Sequence, residues 1–195
     1  MKSELIQISP GNMKTGRIPA VSLSPGLSCP KDAPCRKDCY AAKICRCSPD
    51  ARRAYARNLR ILNRYPADYW YQIREYLRKK NPRFFRFHVS GDIVDQHYLE
   101  RMKETAGYFP ETRLLAFTKN HGLNFKGLPL NLNVVFSMWN NWGNTRKSMP
   151  RAWMLDPKDP DPRIPADAIE CPGNCETCGM CWSLGKGQSV VFYKH

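Results

Sequence analysis

The chain has 195 residues, the length of one ordinary domain, and its 42% hydrophobic and 25% charged residues are typical of globular proteins. These values argue against a disordered chain, and no apolar run approaches the ~18 residues that a membrane span requires. The net charge of +14 and the nine cysteines are unusual. The first residues, Met1 to Leu5, include an acid and precede no apolar run, so we expect no secretory signal and a cytoplasmic protein.

The first half of the chain predicts one strand followed by two helices. Residues 19–23 are a candidate first strand. Ser48 followed by Pro49 is typical of a helix N-terminus, because a serine hydroxyl caps free N–H groups and proline fits the first helical position. This helix is expected to run to about Tyr65, and a second helix follows from about residue 67 to 81.

The second half predicts strands that alternate with helical segments. A helix is expected from about residue 95 to 106, and the predicted strands cover residues 84–89, 114–118, 133–138, 153–155 and 189–193. Strands that alternate with helices form right-handed βαβ units and a parallel sheet. About six strands are too few for a closed eightfold barrel, so we predict an α/β fold of the partial or open (β/α) barrel type.

Residues 156–195 differ in character from the rest of the chain. Four prolines within residues 156–165 exclude a helix or a central strand there, which predicts a hinge. The hinge leads into a cysteine-rich tail. We therefore predict a partial barrel over residues 1–155, and over residues 156–195 a hinge and tail that fold back and pack on the same domain.

The tail cysteines give the strongest chemical signal in the sequence. They follow the pattern Cys171-x3-Cys175-x2-Cys178-x2-Cys181. In a reducing cytoplasm, clustered cysteines more often hold metal than form disulfides. A structural zinc site usually takes two cysteine pairs that lie a dozen or more residues apart, whereas successive short gaps are typical of a 4Fe–4S cluster. We predict an iron–sulfur cluster, with zinc as the main alternative and a set of redox disulfides as the third.

Three further cysteines, Cys29, Cys35 and Cys39, follow the first predicted strand. They could hold a second cluster with one iron left open for catalysis, or combine with a tail cysteine to complete four ligands, so the chain would carry one or two 4Fe–4S clusters. Cys45 and Cys47 are equally well explained as free thiols near a helix start.

Polar residues follow two of the predicted strands, where parallel α/β folds place their ligand sites. Ser90, Gly91 and Asp92 follow the aromatic strand and are candidate cofactor-binding residues. Lys119 follows the next strand and would lie on the same rim. Asp92 has the alternative role of a helix N-cap, and Lys119 that of a solvated lysine or of a group for an anionic ligand.

His88 ends the aromatic strand, where period-two alternation puts it on one face with Phe84 and Arg86. A packed, hydrogen-bonded histidine is one interpretation and a functional histidine at the strand end is the other. Together with the two charged residues of the rim, it completes the candidate catalytic set: His88, Asp92 and Lys119.

Basic residues are concentrated between residues 36 and 86, with fifteen Lys and Arg against four acids. Four of them recur on one face of the first predicted helix: Arg53, Arg57, Arg60 and Arg64. Such a face is either simply solvated or binds the phosphate backbone of a nucleic acid by counterion release. Two functions therefore remain open. The first is a redox protein that works with a redox partner, and the alternative is a nucleic-acid-binding protein in which a zinc or iron–sulfur site is structural.

Several motifs together resemble the phage gene product 88 family. They are residues 18–23, Cys29 to Cys39 with Tyr40-Ala41, Phe87 to Asp92, Phe117 to Lys119, Cys171-Pro172 through Cys181-Trp182, and residues 191–195. The resemblance spans nearly the whole chain. It implies a phage or prophage origin, and hence the host cytoplasm, and a cysteine-ligated cluster more than a particular reaction.

A looser similarity is to radical S-adenosylmethionine enzymes, in which three cysteines after a first strand hold a 4Fe–4S cube. Cys35-x3-Cys39-Tyr40 is similar, while the five-residue gap after Cys29 departs from that pattern. Residues 90–92 stand where those enzymes have a Gly-Gly-Glu motif that grips the cofactor's amino group. This similarity implies a radical-type redox enzyme with S-adenosylmethionine as a further cofactor.

Overall fold

The computed structural model describes residues 4–139, 142–143 and 148–193. Eight strands in these residues form one sheet: β1 (Ile8–Ser9), β2 (Ala20–Val21), β3 (Phe84–Phe87), β4 (Arg113–Thr118), β5 (Leu132–Met138), β6 (Arg151–Leu155), β7 (Ile169–Glu170) and β8 (Ser189–Tyr193). Their order in the sheet is β1-β2-β3-β4-β5-β6-β8-β7. Every neighbouring pair is parallel except β1 and β2. The α/β class and the mainly parallel sheet are thus confirmed.

The sheet is open, with β1 and β7 at its two edges. The prediction of about six strands was wrong because these two edge strands have only two residues each, too few to produce an alternating pattern in the sequence. The sheet does not close on itself, as predicted for an open type, but a barrel is not confirmed.

The helices are α1 (Tyr40–Cys47), α2 (Pro49–Arg64), α3 (Pro66–Lys80), α4 (Gln96–Tyr108) and the short α5 (Cys175–Cys178). The predicted cap of α2 is confirmed, because the Ser48 hydroxyl accepts a hydrogen bond from the Ala51 N–H at 3.3 Å. None of the helices in the described residues is long and apolar enough to cross a membrane.

Two apolar layers cover the two faces of the sheet. On one face, α3 and α4 bury residues such as Trp70 and Leu99 against Phe85 and Phe87 of β3. We call this the helical face. On the other face, Cys181, Trp182 and Leu184 of the C-terminal segment form one apolar cluster with Ile18 and with four strand residues: Leu115, Val135, Ala152 and Val190. We call this the tail face.

Trp182 fixes the C-terminal segment to the tail face. Its indole is 4% exposed, its ring centroid lies 5.0 Å from that of Phe84, and its Nε1–H donates to the carbonyl of Phe85 at 3.2 Å. The Asn133 side chain donates to the carbonyls of Cys181 and Leu184 at 2.8 and 3.2 Å. The C-terminal segment that contains the tail cysteines therefore packs on the tail face of the sheet.

Candidate metal centre

The four tail cysteines lie in a connection between β7 and β8 that crosses the tail face. Cys171 follows β7, and its N–H donates to the carbonyl of Val191 at 3.0 Å. Cys175 begins α5, and its N–H donates to the carbonyl of Lys14 at 2.9 Å. Two backbone contacts from distant parts of the chain thus position the first half of the cysteine motif.

Burial raises the pKa of Cys175 and raises that of Cys181 to about 12. The neighbouring tail thiols raise both pKa values further, because a thiolate at one position repels a thiolate at the next. The positive charges of Arg86 and Lys14 oppose this effect at Cys175. Without a bound cation, Cys175 and Cys181 are therefore neutral thiols at physiological pH.

Two cations lie on neighbouring aromatic rings beside these cysteines. The guanidinium of Arg86 lies 4.9 Å from the ring of Phe117, and the ammonium of Lys14 lies 4.9 Å from the ring of Phe192. The two rings are 5.9 Å apart in an edge-to-face arrangement. The Nε–H of Arg86 is buried and has no hydrogen-bond partner in the described residues. A negatively charged metal–thiolate group would suit this environment.

The cysteines after β2 form a second group. Burial raises the pKa values of Cys29 and Cys35, and the charge of Lys119 opposes it in both. Burial also raises the pKa of Cys45, and the charge of Cys39 raises it further. Cys39 is the N-cap residue of α1, and Cys45 lies within that helix. Cys47 is exposed. The two cysteines therefore differ in exposure, since Cys45 is half-buried and Cys47 is exposed.

Within the described residues, no three Cys, His, Asp or Glu side chains converge on a point where they could hold one metal ion. The cysteines of each group are neighbours, however, and α5 and the loops that carry them are short. Metal binding would require side chains within a group to rotate toward one another.

Asp92 joins the loop after β3 to the end of β4. Its carboxylate accepts hydrogen bonds from the Thr118 hydroxyl at 2.6 Å, the Lys119 N–H at 2.8 Å and the Ile93 N–H at 2.7 Å. Burial raises its pKa, and Lys119 opposes the rise. The alternative of a helix cap was wrong, because Asp95 caps α4 by accepting from the Tyr98 N–H at 2.8 Å.

Ser90 and Gly91, the other candidate cofactor-binding residues, connect the same loop to the segment after β2. The Ser90 hydroxyl donates to the carbonyl of Leu23 at 2.9 Å. Gly91 has a φ of +91°, and a Cβ added there would lie 2.6 Å from the Ser28 hydroxyl oxygen. These contacts give both residues a structural role next to Cys29.

Replacing Gly91 by alanine should lower the free energy of unfolding by about 2 to 3 kcal/mol, because the new methyl group meets both a strained φ and a close contact. Gly107→Ala in α4 is the matched control, since no described atom lies within 4 Å of its added Cβ. Urea unfolding of the two variants measures the difference. Equal stabilities would contradict the tight approach of the two loops.

His88 lies in the core, away from the rim. Its φ of +63° ends β3 and turns the ring to the helical face, so the predicted placement with Phe84 and Arg86 was wrong. The ring is 2% exposed, its Nε2 lies 2.9 Å from the Tyr98 hydroxyl, and its Nδ1 has no partner in the described residues. Burial, with a contribution from Arg86, lowers its pKa to about 3. The packed interpretation fits this location better than a catalytic role.

Lys119 stands beside the N-terminal cysteines. Its side chain is half-buried, and its ammonium has no hydrogen-bond or ion-pair partner in the described residues. Its charge opposes the pKa rise of Tyr40, whose main cause is burial. The Tyr40 hydroxyl donates to the carbonyl of Val89. Lys119, Asp92 and Tyr40 therefore surround the cysteines after β2.

His121 belongs to the same region and had no signal in the sequence. It stacks on Phe136 at 4.3 Å with 8° between the ring planes, and its Nε2 lies 3.1 Å from the Thr118 carbonyl. Burial lowers its pKa to about 4.

The four arginines predicted to contact nucleic acid lie on α2 as expected, but acids pair with most of them. Glu4 forms ion pairs with Arg57 and Arg60, and Asp50 forms one with Arg53. These two acids halve the charge of the arginine face. Glu4 is more than fifty residues away in sequence, so helix periodicity gives no indication of the pairing.

Comparison with known proteins gives one match. No curated protein and no solved structure matches the chain. The looser similarity to radical S-adenosylmethionine enzymes therefore finds no support. The model of the family described as gene product 88 matches residues 3–184, nearly the whole chain and both cysteine groups. The protein thus belongs to the phage gene product 88 family.

Proposed function

We propose that the protein is an iron–sulfur protein of a redox type, with a 4Fe–4S cluster held by Cys171, Cys175, Cys178 and Cys181. The observation that carries the proposal is the pair of cations, Arg86 and Lys14, beside the half-buried thiol of Cys175. Cysteine binds metal as a thiolate, so a site needs positive charge to offset the burial of several thiolates.

The residues around the tail would tune such a cluster. The buried Nε–H of Arg86 has no partner in the described residues and would be available to donate to a cluster or thiolate sulfur. Hydrogen bonds and positive charge near a cluster raise its reduction potential. Zinc bound by four thiolates would also be anionic, so the preference for iron rests on the short gaps between the cysteines.

A second cluster at Cys29, Cys35 and Cys39 is the proposed catalytic centre, because three cysteine ligands leave one iron open. Lys119 and Asp92 are the charged residues proposed to act beside it. His88 does not belong to this set, because it lies in the core. Residues 90–92 do not suit the amino group of S-adenosylmethionine, since their polar atoms are already engaged, so we propose no step that uses this cofactor.

Iron analysis tests the proposal. Protein purified without oxygen should be brown and contain iron and acid-labile sulfide in equal amounts, about four of each per cluster. Stoichiometric zinc without sulfide would contradict it and favour a structural metal.

The alternative proposal is a nucleic-acid-binding protein with a structural metal, which the net charge of +14 supports. Binding to DNA or RNA that weakens steeply with salt, by a protein without electron-transfer activity, would favour this alternative.

A further inference from the structure

An open cavity of about 460 Å³ lies between the β1–β2 edge of the sheet and helix α2. Its lining includes the small side chains of Ser9, Ala20 and Ser22 and the longer polar side chains of Asp50, Arg53, Tyr55 and Arg57. This volume falls in the range of small-molecule sites, about 300 to 1,000 Å³.

The cavity is concave because the strand register places small side chains next to each other at the edge of the sheet. Ser9 pairs with Ala20, and Ala20 pairs with Arg86, so the three side chains lie in a row on one face. The two small residues, Ser9 and Ala20, leave space at the edge of the sheet, and both line the cavity.

The buried side chain of Asn58 fixes the wall of the cavity. Its amide nitrogen donates to the carbonyls of Gln7 and Ser22, both at 2.9 Å, and its oxygen accepts from the Gln7 N–H at 2.7 Å. Asn58 thus ties α2 to the segments next to β1 and β2. A ligand would meet a wall that is already formed, which lowers the entropic cost of binding.

The cavity is lined by two arginines whose acidic partners are weakly bound. Asp50 pairs with Arg53, but the carboxylate is 91% exposed, and Glu4 pairs with Arg57 at 3.6 Å. Exposed ion pairs of this kind contribute little, so a dianionic phosphate can displace them. Guanidinium groups bind phosphate oxygens in pairs of parallel hydrogen bonds.

We propose that this cavity binds a small phosphorylated ligand, with Arg53 and Arg57 on its phosphates. A small ligand is favoured over a nucleic acid strand because Arg60 and Arg64 of the same helix lie outside the cavity lining. The inference goes beyond the iron–sulfur proposal and does not depend on it, since neither arginine belongs to a cysteine group.

Isothermal titration of the full-length protein with ADP tests the proposal, with adenosine as the ligand that lacks phosphate. ADP should bind and adenosine should not, inorganic pyrophosphate should compete with ADP, and Arg53→Gln and Arg57→Gln should each weaken ADP binding at least fivefold. Arg64→Gln, on the same helix but outside the cavity, should change it less than twofold.

Three outcomes would overturn the proposal: no binding of ADP, equal binding of adenosine, or an equal loss in Arg64→Gln. Binding of a single-stranded oligonucleotide, measured in the same way, tests whether the arginines bind a nucleic acid strand instead of a small ligand. If the oligonucleotide binds while ADP does not, and all three variants weaken its binding alike, the arginine face is a nucleic acid surface and the cavity is not a ligand site. Metal content measured on the same samples tests the iron–sulfur proposal separately.

Discussion

Because Cys178 is a ligand of the proposed cluster, replacing it by alanine is expected to remove the metal of that cluster and to loosen residues 171–178 on the sheet. Cys178 is exposed and packs on little, so its loss removes a thiolate without creating a cavity. Metal sites of this type contribute folding energy directly, because the ligands form a site only in the folded chain. The effect on metal content should therefore approach complete loss.

Cys47→Ala is the matched control, since Cys47 is the other exposed cysteine in the described residues. It should keep the iron and sulfide content of the unmodified protein. Iron analysis and hydrogen exchange over residues 171–178 measure the two effects. If both variants lose the same amount of metal, or neither loses any, the assignment of the tail cysteines as ligands is wrong.

Residues 171–178 would loosen because their other attachments are a few hydrogen bonds, such as those from the N–H groups of Cys171 and Cys175 to the carbonyls of Val191 and Lys14. Trp182 and Leu184 anchor one end in the apolar layer of the tail face. At the other end, the ion pair between Arg17 and Glu176 is largely solvent-exposed on the arginine side. Such a pair contributes about 0 to 1 kcal/mol, so the metal would be the main link between Cys171 and Cys178.

The elements with local signals were predictable from the sequence. Ser48-Pro49 marks the start of α2, and the aromatic run that begins at Phe84 marks β3. The two-residue strands β1 and β7 have no periodicity of their own and exist because longer neighbours offer hydrogen-bonding edges. Pairings of this kind depend on tertiary contacts, which a local pattern does not contain.

The same distinction separates the parts of the candidate site. The spacing of the cysteines and the strand-end position of Lys119 can be read along the chain. The position of Arg86 over Phe117 depends on the pairing of β3 with β4, and that of Lys14 depends on how the tail crosses the sheet. The packed role of His88 was one of its two predicted interpretations, but the face of its ring was not predicted, because one positive φ reverses the face that strand alternation assigns to it.

Acidification is expected to destabilise the protein, and His88 should account for much of the loss. Burial lowers the pKa of His88 from 6.5 to about 3. Below pH 6.5 the unfolded chain takes up a proton at this position while the folded chain does not, so stability falls as the pH drops from about 6.5 to about 3. His121, with a pKa of about 4, contributes with the same sign, whereas Asp92, with its raised pKa, contributes with the opposite sign.

His88→Asn isolates this contribution, because asparagine does not titrate and tolerates the left-handed backbone at this position. Between pH 7 and pH 5, urea unfolding should show a loss of stability about 2 kcal/mol larger in the unmodified protein than in the variant. His97→Asn, at an exposed position on α4, should behave like the unmodified protein. An equally steep loss in His88→Asn would mean that His88 is protonated in the folded state, and its ring would then belong to a wetter site than the core beside Tyr98.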